Sequence, residues 1–426
     1  MSRNALEGIR ILDLTQVAAG PYSTFPLGFM GAEIIKVESH KRGDSTRGQV
    51  NPPVHQLFTY PDGKPGPRPW NQRADYVQRN RNKLGITLDL TMDEGKAVLI
   101  RLVERCDAVM ENFRAAVMER WELDYPRLIK VNPKLVYLKM SSQGNTGPER
   151  NYGSLGYTME NTSGLTSITG YNGERPLMSN ETYPDPVAGT LGVGALLLGL
   201  RHVRQTGKGC FIDMSQREVT TGLLGEAIMD YAMNGRVQGP TGNRHPAMAP
   251  HGVYPCDGDD EWVAIAVASD AQWSGLVRAL ENPEWANDER FAEGSSRWRH
   301  QEVIDGHLSG WTRGLTHHEA MHRLQAEGVP AAALLKGKEV IHDPHLAERD
   351  FWDWNYMPEV GRAYAYVGTA WHLSKTPRRQ GSPAPGLGEH NHLIYGGLLG
   401  MTEAEIATLE EKGVIGTQPL WTTTPV

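Results

Sequence analysis

The sequence predicts an α/β protein: a large domain around a parallel sheet, split by a smaller α+β domain. Three observations predict it. The opening residues read strand, helix, strand, and strands joined that way lie parallel with a right-handed crossover. After Gly239 the texture changes to a hairpin followed by helices. The chain has 426 residues, more than one simple core holds, so two compact units are expected.

Residues 8–14 form an apolar strand, Ala18-Ala19-Gly20-Pro21 a turn, 22–30 a short helix and 33–37 a second strand. Residues 40–79 are polar and rich in Gly and Pro, a long excursion. A strand follows at 83–90, and Thr91-Met92-Asp93-Glu94 reads as a capping box opening a helix to about Cys106. Strands at 108–111 and 134–140 flank a short helix at 125–131. A loop, a helix at 157–165 and a second loop lead to Asp185, then an apolar helix at 187–204. A strand at 210–214 and a helix at 219–233 close this part. Residues 252–256 and 262–267 pair through Asp257-Gly258-Asp259-Asp260, with helices to about Glu327. Residues 330–426 return to strands and loops, with a late helix opened by Thr402-Glu403-Ala404-Glu405. The expected division is 1–225, large domain; 226–328, small domain with linkers; 329–426, large domain again.

Composition excludes several functions. The net charge of −7 supplies no basic field for nucleic acid or an anionic membrane. The longest apolar run, 191–200, is interrupted by glycines and shorter than a bilayer requires. The first residues carry no apolar signal-peptide core. Cys106, Cys210 and Cys256 are an odd set without metal-type spacing, so a reduced, cytoplasmic protein is expected.

His318-Glu319-Ala320-Met321-His322 fits the zinc-protease pattern. Thr316 and Glu319 make a capping box, however, which gives the glutamate a structural task and leaves no metal expected there. His342-Asp343-Pro344-His345 reads as a turn. Glu38 closes the second strand where a ribose-binding acid would sit, but the first turn lacks G-x-G-x-x-G and contains a proline without an N–H. Asp185, in Tyr183-Pro184-Asp185-Pro186, reads as an N-cap with Pro186 at the first helical position. The same place also suits a nucleophile, since a helix dipole favours the carboxylate anion. Sequence physics permits both.

Leu12-Asp13-Leu14-Thr15-Gln16-Val17-Ala18-Ala19-Gly20-Pro21, Gly31-Ala32-Glu33-Ile34-Ile35-Lys36-Val37-Glu38 and Gly43-Asp44 resemble the opening of class III CoA-transferases of the CaiB/BaiF type, the group of the formyl-CoA, carnitine and benzylsuccinate enzymes. The resemblance continues through Asn82-Lys83, Glu111-Asn112-Phe113-Arg114, Asn132 to Tyr137, Thr206-Gly207-Lys208-Gly209 and Gly386-Leu387-Gly388-Glu389-His390. It implies a Rossmann-like large domain and two chains threaded as interlocked rings, a homodimer or a heteromer with a paralogue. It places the nucleophile on Asp185, coenzyme A contacts on Val17, Lys83, Asn112, Phe113 and Arg120, and substrate contacts on Gln16 and Ala18. Lys41 or Arg42 replaces the basic residue that often follows the second strand, since Ser39 stands there. The substrates implied are an acyl-CoA, with succinyl-CoA favoured, and a substituted or aromatic dicarboxylic acid. No permanently bound cofactor is implied.

Two departures narrow this reading. Acyl-CoA racemases of the same fold carry a His-Asp pair where Leu155 and Gly156 stand, so two-base proton exchange lacks a base. Formyl-CoA transferases close a glycine run over the aspartate. Here Gly242-Asn243-Arg244-His245-Pro246 and Pro250-His251-Gly252 are bulkier and more basic. Arg244, His245 and His251 suit a second carboxylate; the plain alternative is a surface loop. The rival functions are a racemase or epimerase, and a non-catalytic subunit paired with an active paralogue.

Overall fold

The computed structural model describes residues 4–179, 181–357 and 359–421. The chain forms two compact units, one of residues 1–165, 178–233 and 347–426, the other of 166–177 and 234–346.

The first unit is built on six parallel strands: β1 Arg10–Asp13, β2 Glu33–Glu38, β3 Lys83–Thr87, β4 Ala108–Glu111, β5 Val136–Ser141 and β6 Cys210–Ser215. Their spatial order is β3-β2-β1-β4-β5-β6, so the winding reverses between β1 and β4. Ligands of open α/β sheets bind outside the carboxyl ends of the strands at that reversal. Alternate residues feed two cores. Leu12, Ile35, Val109 and Tyr137 face one layer, and Ile11, Ile34, Ala108 and Leu138 the other. Burial on both faces explains the apolar stretches in the central strands, such as Ala108-Val109-Met110. The C-terminal part completes the first layer: Ile394 and Ile406 pack into it, and Tyr395 donates to the Thr87 carbonyl at 2.6 Å.

Glycines set the depth of packing on the second layer. The helices Ala19–Phe29 and Pro184–Thr206 lie against each other. A Cβ at Gly189 would strike Tyr22, one at Gly192 would strike Met140 and Ser23, and one at Gly199 would strike Val136. Ser23 Oγ donates to the Gly189 carbonyl at 2.7 Å. This close approach brings the N-termini of the two helices together. The Pro184–Thr206 helix has 23 residues and by length and composition could cross a membrane, which the shorter run 191–200 did not suggest. One face, including Ala188 and Leu196, packs into the second layer, while Leu191 and Leu198 stay exposed.

Several local expectations need correction. The helix Asp93–Val103 starts from Met92 without a side-chain cap. Thr91 instead donates its hydroxyl and its N–H to Asp89 Oδ1, at 2.6 and 3.0 Å, so an aspartate-centred turn takes the group meant for the cap. The helix expected at 219–233 is broken into Gln216–Thr221, a 3-10 turn Gly222–Leu224 and Gly225–Asn234. Two glycines four positions or fewer apart weaken the helical run there. Likewise 157–165 divides into Gly156–Thr162 and Leu165–Ile168 around Gly164, whose φ is +94°.

The second unit holds an antiparallel sheet of β7 His251–Pro255, β8 Trp262–Ala266 and β9 Ala331–Ala333. Helices pack Trp273, Leu276, Ile304, Leu308 and Leu324 against it. Strand β9 was expected in the large domain. Its pairing of Ala333 with Val263 puts it here, and the unit runs on to Leu346. The capping boxes at Thr316 with Glu319 and Thr402 with Glu405 are formed. A last hairpin, β10 Trp352–Met357 and β11 Arg362–Val367, returns to the first unit.

Candidate active site

A cleft of about 510 Å³ opens at the carboxyl ends of β1, β2, β3 and β4. Leu14, Val37, Leu88, Phe113 and Trp121 supply apolar wall, and Lys41, Arg42, Arg114 and Arg120 supply cations. The Phe113 and Trp121 rings meet edge to face, with centroids 5.6 Å apart. Flat apolar surface beside guanidinium groups suits an aromatic base carrying phosphates. Lys41 is paired with Asp89 at 2.7 Å. For Arg42, Arg114 and Arg120 no ion pair is found among the described residues.

The segment after β1 ties this cleft to Asp185. Gln16 lines the cleft. Its N–H donates to Asn112 Oδ1 and its carbonyl accepts from Asn112 Nδ2, both at 2.8 Å, so Asn112 acts as a clamp from the end of β4. Val17 takes φ +67°, rare for a β-branched residue, and its N–H donates to Asp44 Oδ1 at 3.1 Å. Asp44 is held in turn by Lys36, which also donates to the Thr15 carbonyl at 2.8 Å. Ala18 is buried, and Ala19 opens the following helix.

Asp185 sits at the N-terminus of the neighbouring helix, 8% exposed. Tyr183 already has helical angles and Pro184 is the first helical residue, so Asp185 lies inside the first turn and is not the N-cap. A cap residue needs extended backbone, and here the helix has already begun at Pro184, one residue earlier. Burial raises its pKa to about 6; the Thr182 hydroxyl, the Arg79 charge and the Ala19 N–H oppose that rise. The dipole expected to keep this carboxylate an ordinary anion is therefore outweighed by desolvation. Thr182 has φ +43°, and its carbonyl accepts the Asp185 N–H at 2.9 Å, so a strained turn presents the aspartate. Gly156 closes the other side: a Cβ there would collide with Asp185 Oδ2 and with Thr182.

Of the residues singled out in the sequence, Gln16, Phe113 and Arg120 line the cleft, Asn112 braces it, and Val17 and Ala18 lead from it toward Asp185. Lys83 does not join them. Its ammonium is fully buried, pairs with Asp13 at 2.9 Å and donates to Asn80 Oδ1 at 2.9 Å, so it presents no charge to the cleft. Burial pushes its pKa down to about 8, against Asp13. The ribose role weighed for Glu38 also fails, because its carboxylate is taken by Arg47 at 2.7 Å. Burial penalises the Glu38 charge, yet Arg47 holds its pKa at about 2. Arg244, His245 and His251 belong to the second unit. The His245 and His251 rings lie 5.4 Å apart, His251 Nδ1 is 2.6 Å from the Asn243 carbonyl, and Arg244 pairs with the exposed Glu302 at 3.2 Å. The cleft is lined without them. Sequence reasoning missed Arg79 and Trp121. Arg79 ends the helix Ala74–Arg79 inside the region read as an excursion, and Trp121 is marked only by following Arg120.

The model of CoA-transferase family III matches residues 6–391. The chain is 32% identical over 412 residues to a succinyl-CoA–D-citramalate CoA-transferase of Chloroflexus aurantiacus, covering 96% of this chain and 98% of that one. It is 31% identical over 412 residues to the alpha subunit of a succinyl-CoA–L-malate CoA-transferase of Chloroflexus aurantiacus, covering 96% and 92%. A crystal structure of a CAIB/BAIF family protein from Brucella suis superimposes with a TM-score of 0.82 at 29% identity, covering 93% of this chain and 100% of that one.

Proposed function

The chain belongs to CoA-transferase family III, and on that premise we propose that it moves coenzyme A from succinyl-CoA to a small dicarboxylic acid through Asp185. The acceptors of the citramalate and malate relatives are both hydroxylated dicarboxylates, which supports that acceptor class.

Asp185 attacks the donor thioester carbonyl and expels the CoA thiolate, leaving a mixed anhydride. The thiolate returns to the aspartyl carbonyl, releases succinate and forms an aspartyl-CoA thioester. The acceptor carboxylate attacks that carbonyl, giving a second anhydride and thiolate again. The thiolate then attacks the acceptor carbonyl, which yields the new acyl-CoA and frees Asp185. One thioester replaces another, so the exchange is nearly balanced. A carboxylate made more basic by burial is a stronger nucleophile, yet it is still mostly ionised at pH 7. Burial also keeps water from the anhydrides and the thioester.

The observation that carries this reading is the buried Asp185 carboxylate facing the Ala19 N–H, three residues after Gln16 on the cleft wall. Phe113, Trp121, Arg42 and Arg120 would hold the nucleotide end of coenzyme A, and the segment 16–19 would carry its thiol end toward Asp185. A racemase is disfavoured because Leu155 stands where racemases of this fold carry the histidine base, and Gly156 beside it leaves no room for a side chain against Asp185 Oδ2.

The assembly proposed is two interlocked chains, a homodimer or a pair with a paralogue of the kind the malate relative's subunits suggest. Leu191, Leu198, Met229 and Met233 are exposed on two helices of the first unit, apolar surface that a second chain would cover. Three unpaired cysteines support a cytoplasmic setting.

Trapping tests the mechanism. Hydroxylamine or borohydride added with succinyl-CoA should inactivate the enzyme and modify Asp185, as read by peptide mass spectrometry, and free enzyme should resist both. Resistance in the presence of succinyl-CoA, together with uptake of solvent deuterium at an acyl α-carbon, would replace the transferase reading with its racemase rival.

A further inference from the structure

The second unit carries a cluster that CoA transfer does not use. His317 and His318 open the helix His317–Ala326, and Glu339 lies in the short helix Gly337–Val340. His317 Nε2 is 3.0 Å from Glu339 Oε1, and His318 Nε2 is 3.5 Å from the same oxygen. The three donor atoms lie within 4.8 Å of one another. Donors around a tetrahedral zinc ion, with bonds of about 2.0–2.1 Å, stand roughly 3.3 Å apart.

The surroundings are already arranged for such an ion. His317 is 6% exposed, and its other ring nitrogen, Nδ1, faces Glu261 Oε2 at 3.0 Å. Lys336 Nζ fixes the second Glu261 oxygen at 2.8 Å. The Lys336 N–H fixes the second Glu339 oxygen, also at 2.8 Å. A carboxylate behind the ligating histidine and a donor behind the ligating carboxylate are what orient metal ligands. Without an ion, one imidazole is pressed between two carboxylates at both of its nitrogens. His318 is half-exposed, so the cluster borders solvent, from which a water could complete the coordination.

We propose that His317 Nε2, His318 Nε2 and Glu339 Oε1 form a binding site for one divalent transition-metal ion of the zinc class, with Glu261 orienting His317. The site is distinct from the His318-to-His322 pattern weighed in the sequence. There Glu319 is committed to the Thr316 cap, and the His318 and His322 rings stand 6.4 Å apart. Glu339 lies too far along the chain for any local motif to announce it. Its placement joins the helix that starts at His317 to the segment after β9, so the ion would staple two parts of the second unit.

The test uses the full-length protein without an affinity tag, stripped with chelator and dialysed. Zinc titration against a chromophoric competitor should give one site per chain. Cobalt should give visible d–d bands of tetrahedral intensity, and zinc should raise the melting temperature. His318→Ala, a change at an exposed side chain, should weaken zinc at least about tenfold and abolish the cobalt bands. Glu339→Gln, which keeps the carbonyl that caps Lys336, should do the same, and His322→Ala should change nothing. No zinc bound by the wild type, affinity unchanged in His318→Ala, or loss of the site in His322→Ala would each overturn the proposal.

Discussion

Two sets of buried acids in the first unit behave in opposite ways. Asp13, Glu38 and Asp44 brace the segment 14–18, each beside a buried cation: Lys83, Arg47 and Lys36. Asp185, at the N-terminus of the neighbouring helix Pro184–Thr206, has no side-chain ion pair among the described residues. Burial penalises the charge in both places. Lys83 and Lys36 nevertheless pull Asp13 below the usual carboxylate range, and Arg47 holds Glu38 at about 2, while Asp185 is left at about 6. The difference supports the role proposed for Asp185. A carboxylate locked to a cation is scaffold, and one kept buried with only dipoles and a distant charge is poised to react.

The largest expected effect comes from breaking the scaffold pair. Glu38→Gln leaves Arg47 buried without its counter-charge and should destabilise the protein by about 3–5 kcal/mol. Asp185→Asn should move stability the other way. It removes an uncompensated buried charge worth at most about 3 kcal/mol, while abolishing transfer. Denaturant unfolding of both variants at pH 7 checks the contrast; equal destabilisation by the two would erase it. The pH dependence has opposite signs as well. The folded pKa of Asp185 is raised from 3.8 to about 6, so its stabilising contribution is full below pH 3.8 and lost as pH rises through about 6. Glu38 is lowered from 4.5 to about 2, so its contribution is present above pH 4.5 and lost as pH falls through about 2. The advantage of Asp185→Asn over wild type should therefore open between about pH 4 and 6.

This contrast also explains what could be read from the chain. The central parallel strands were legible because double burial favours apolar stretches, as at Ala108-Val109-Met110. Strand β9 was not, since Ala331–Ala333 carries no β-branched or aromatic residue. Asp185 looked like a cap, and only the resemblance raised it to a nucleophile; its isolation from cations depends on tertiary neighbours. Lys83 shows the converse. A lysine opening a strand resembles a phosphate partner until Asp13, remote in sequence, is placed against it. Gly156 gave no local signal, because its meaning is the oxygen it touches.

That glycine supplies the next test. Gly156→Ala puts a methyl group against Asp185 Oδ2 and Thr182, and the strained turn must shift. A displacement of this kind at a reacting atom costs on the order of 100-fold in kcat. KM for the acyl-CoA should change little, since Gly156 does not line the cleft. Steady-state kinetics separates the two. A rise in KM at constant kcat would mean that Gly156 contacts the substrate and does not set the position of Asp185.

The smallest effect belongs to the exposed cations, where the comparison is sharpened at its other end. Arg42 and Arg120 border the cleft without ion pairs among the described residues, unlike Lys41, which Asp89 already engages. A cation on a wet rim interacts with phosphate through a high dielectric, so each is worth about 1 kcal/mol, roughly five-fold in affinity. Arg42→Gln and Arg120→Gln should each raise KM for succinyl-CoA by about that factor and leave kcat and stability nearly unchanged. The effect should shrink as salt is added, because exposed charges are screened over about 10 Å at 0.1 M ionic strength. Lys83→Gln gives the internal contrast. Buried and paired with Asp13, it should lower the melting temperature and leave the salt dependence of KM as it was. If Lys83→Gln instead removed the salt dependence while the two arginine variants kept it, the phosphates would be held from inside the sheet, and the division between scaffold and binding charges would be drawn in the wrong place.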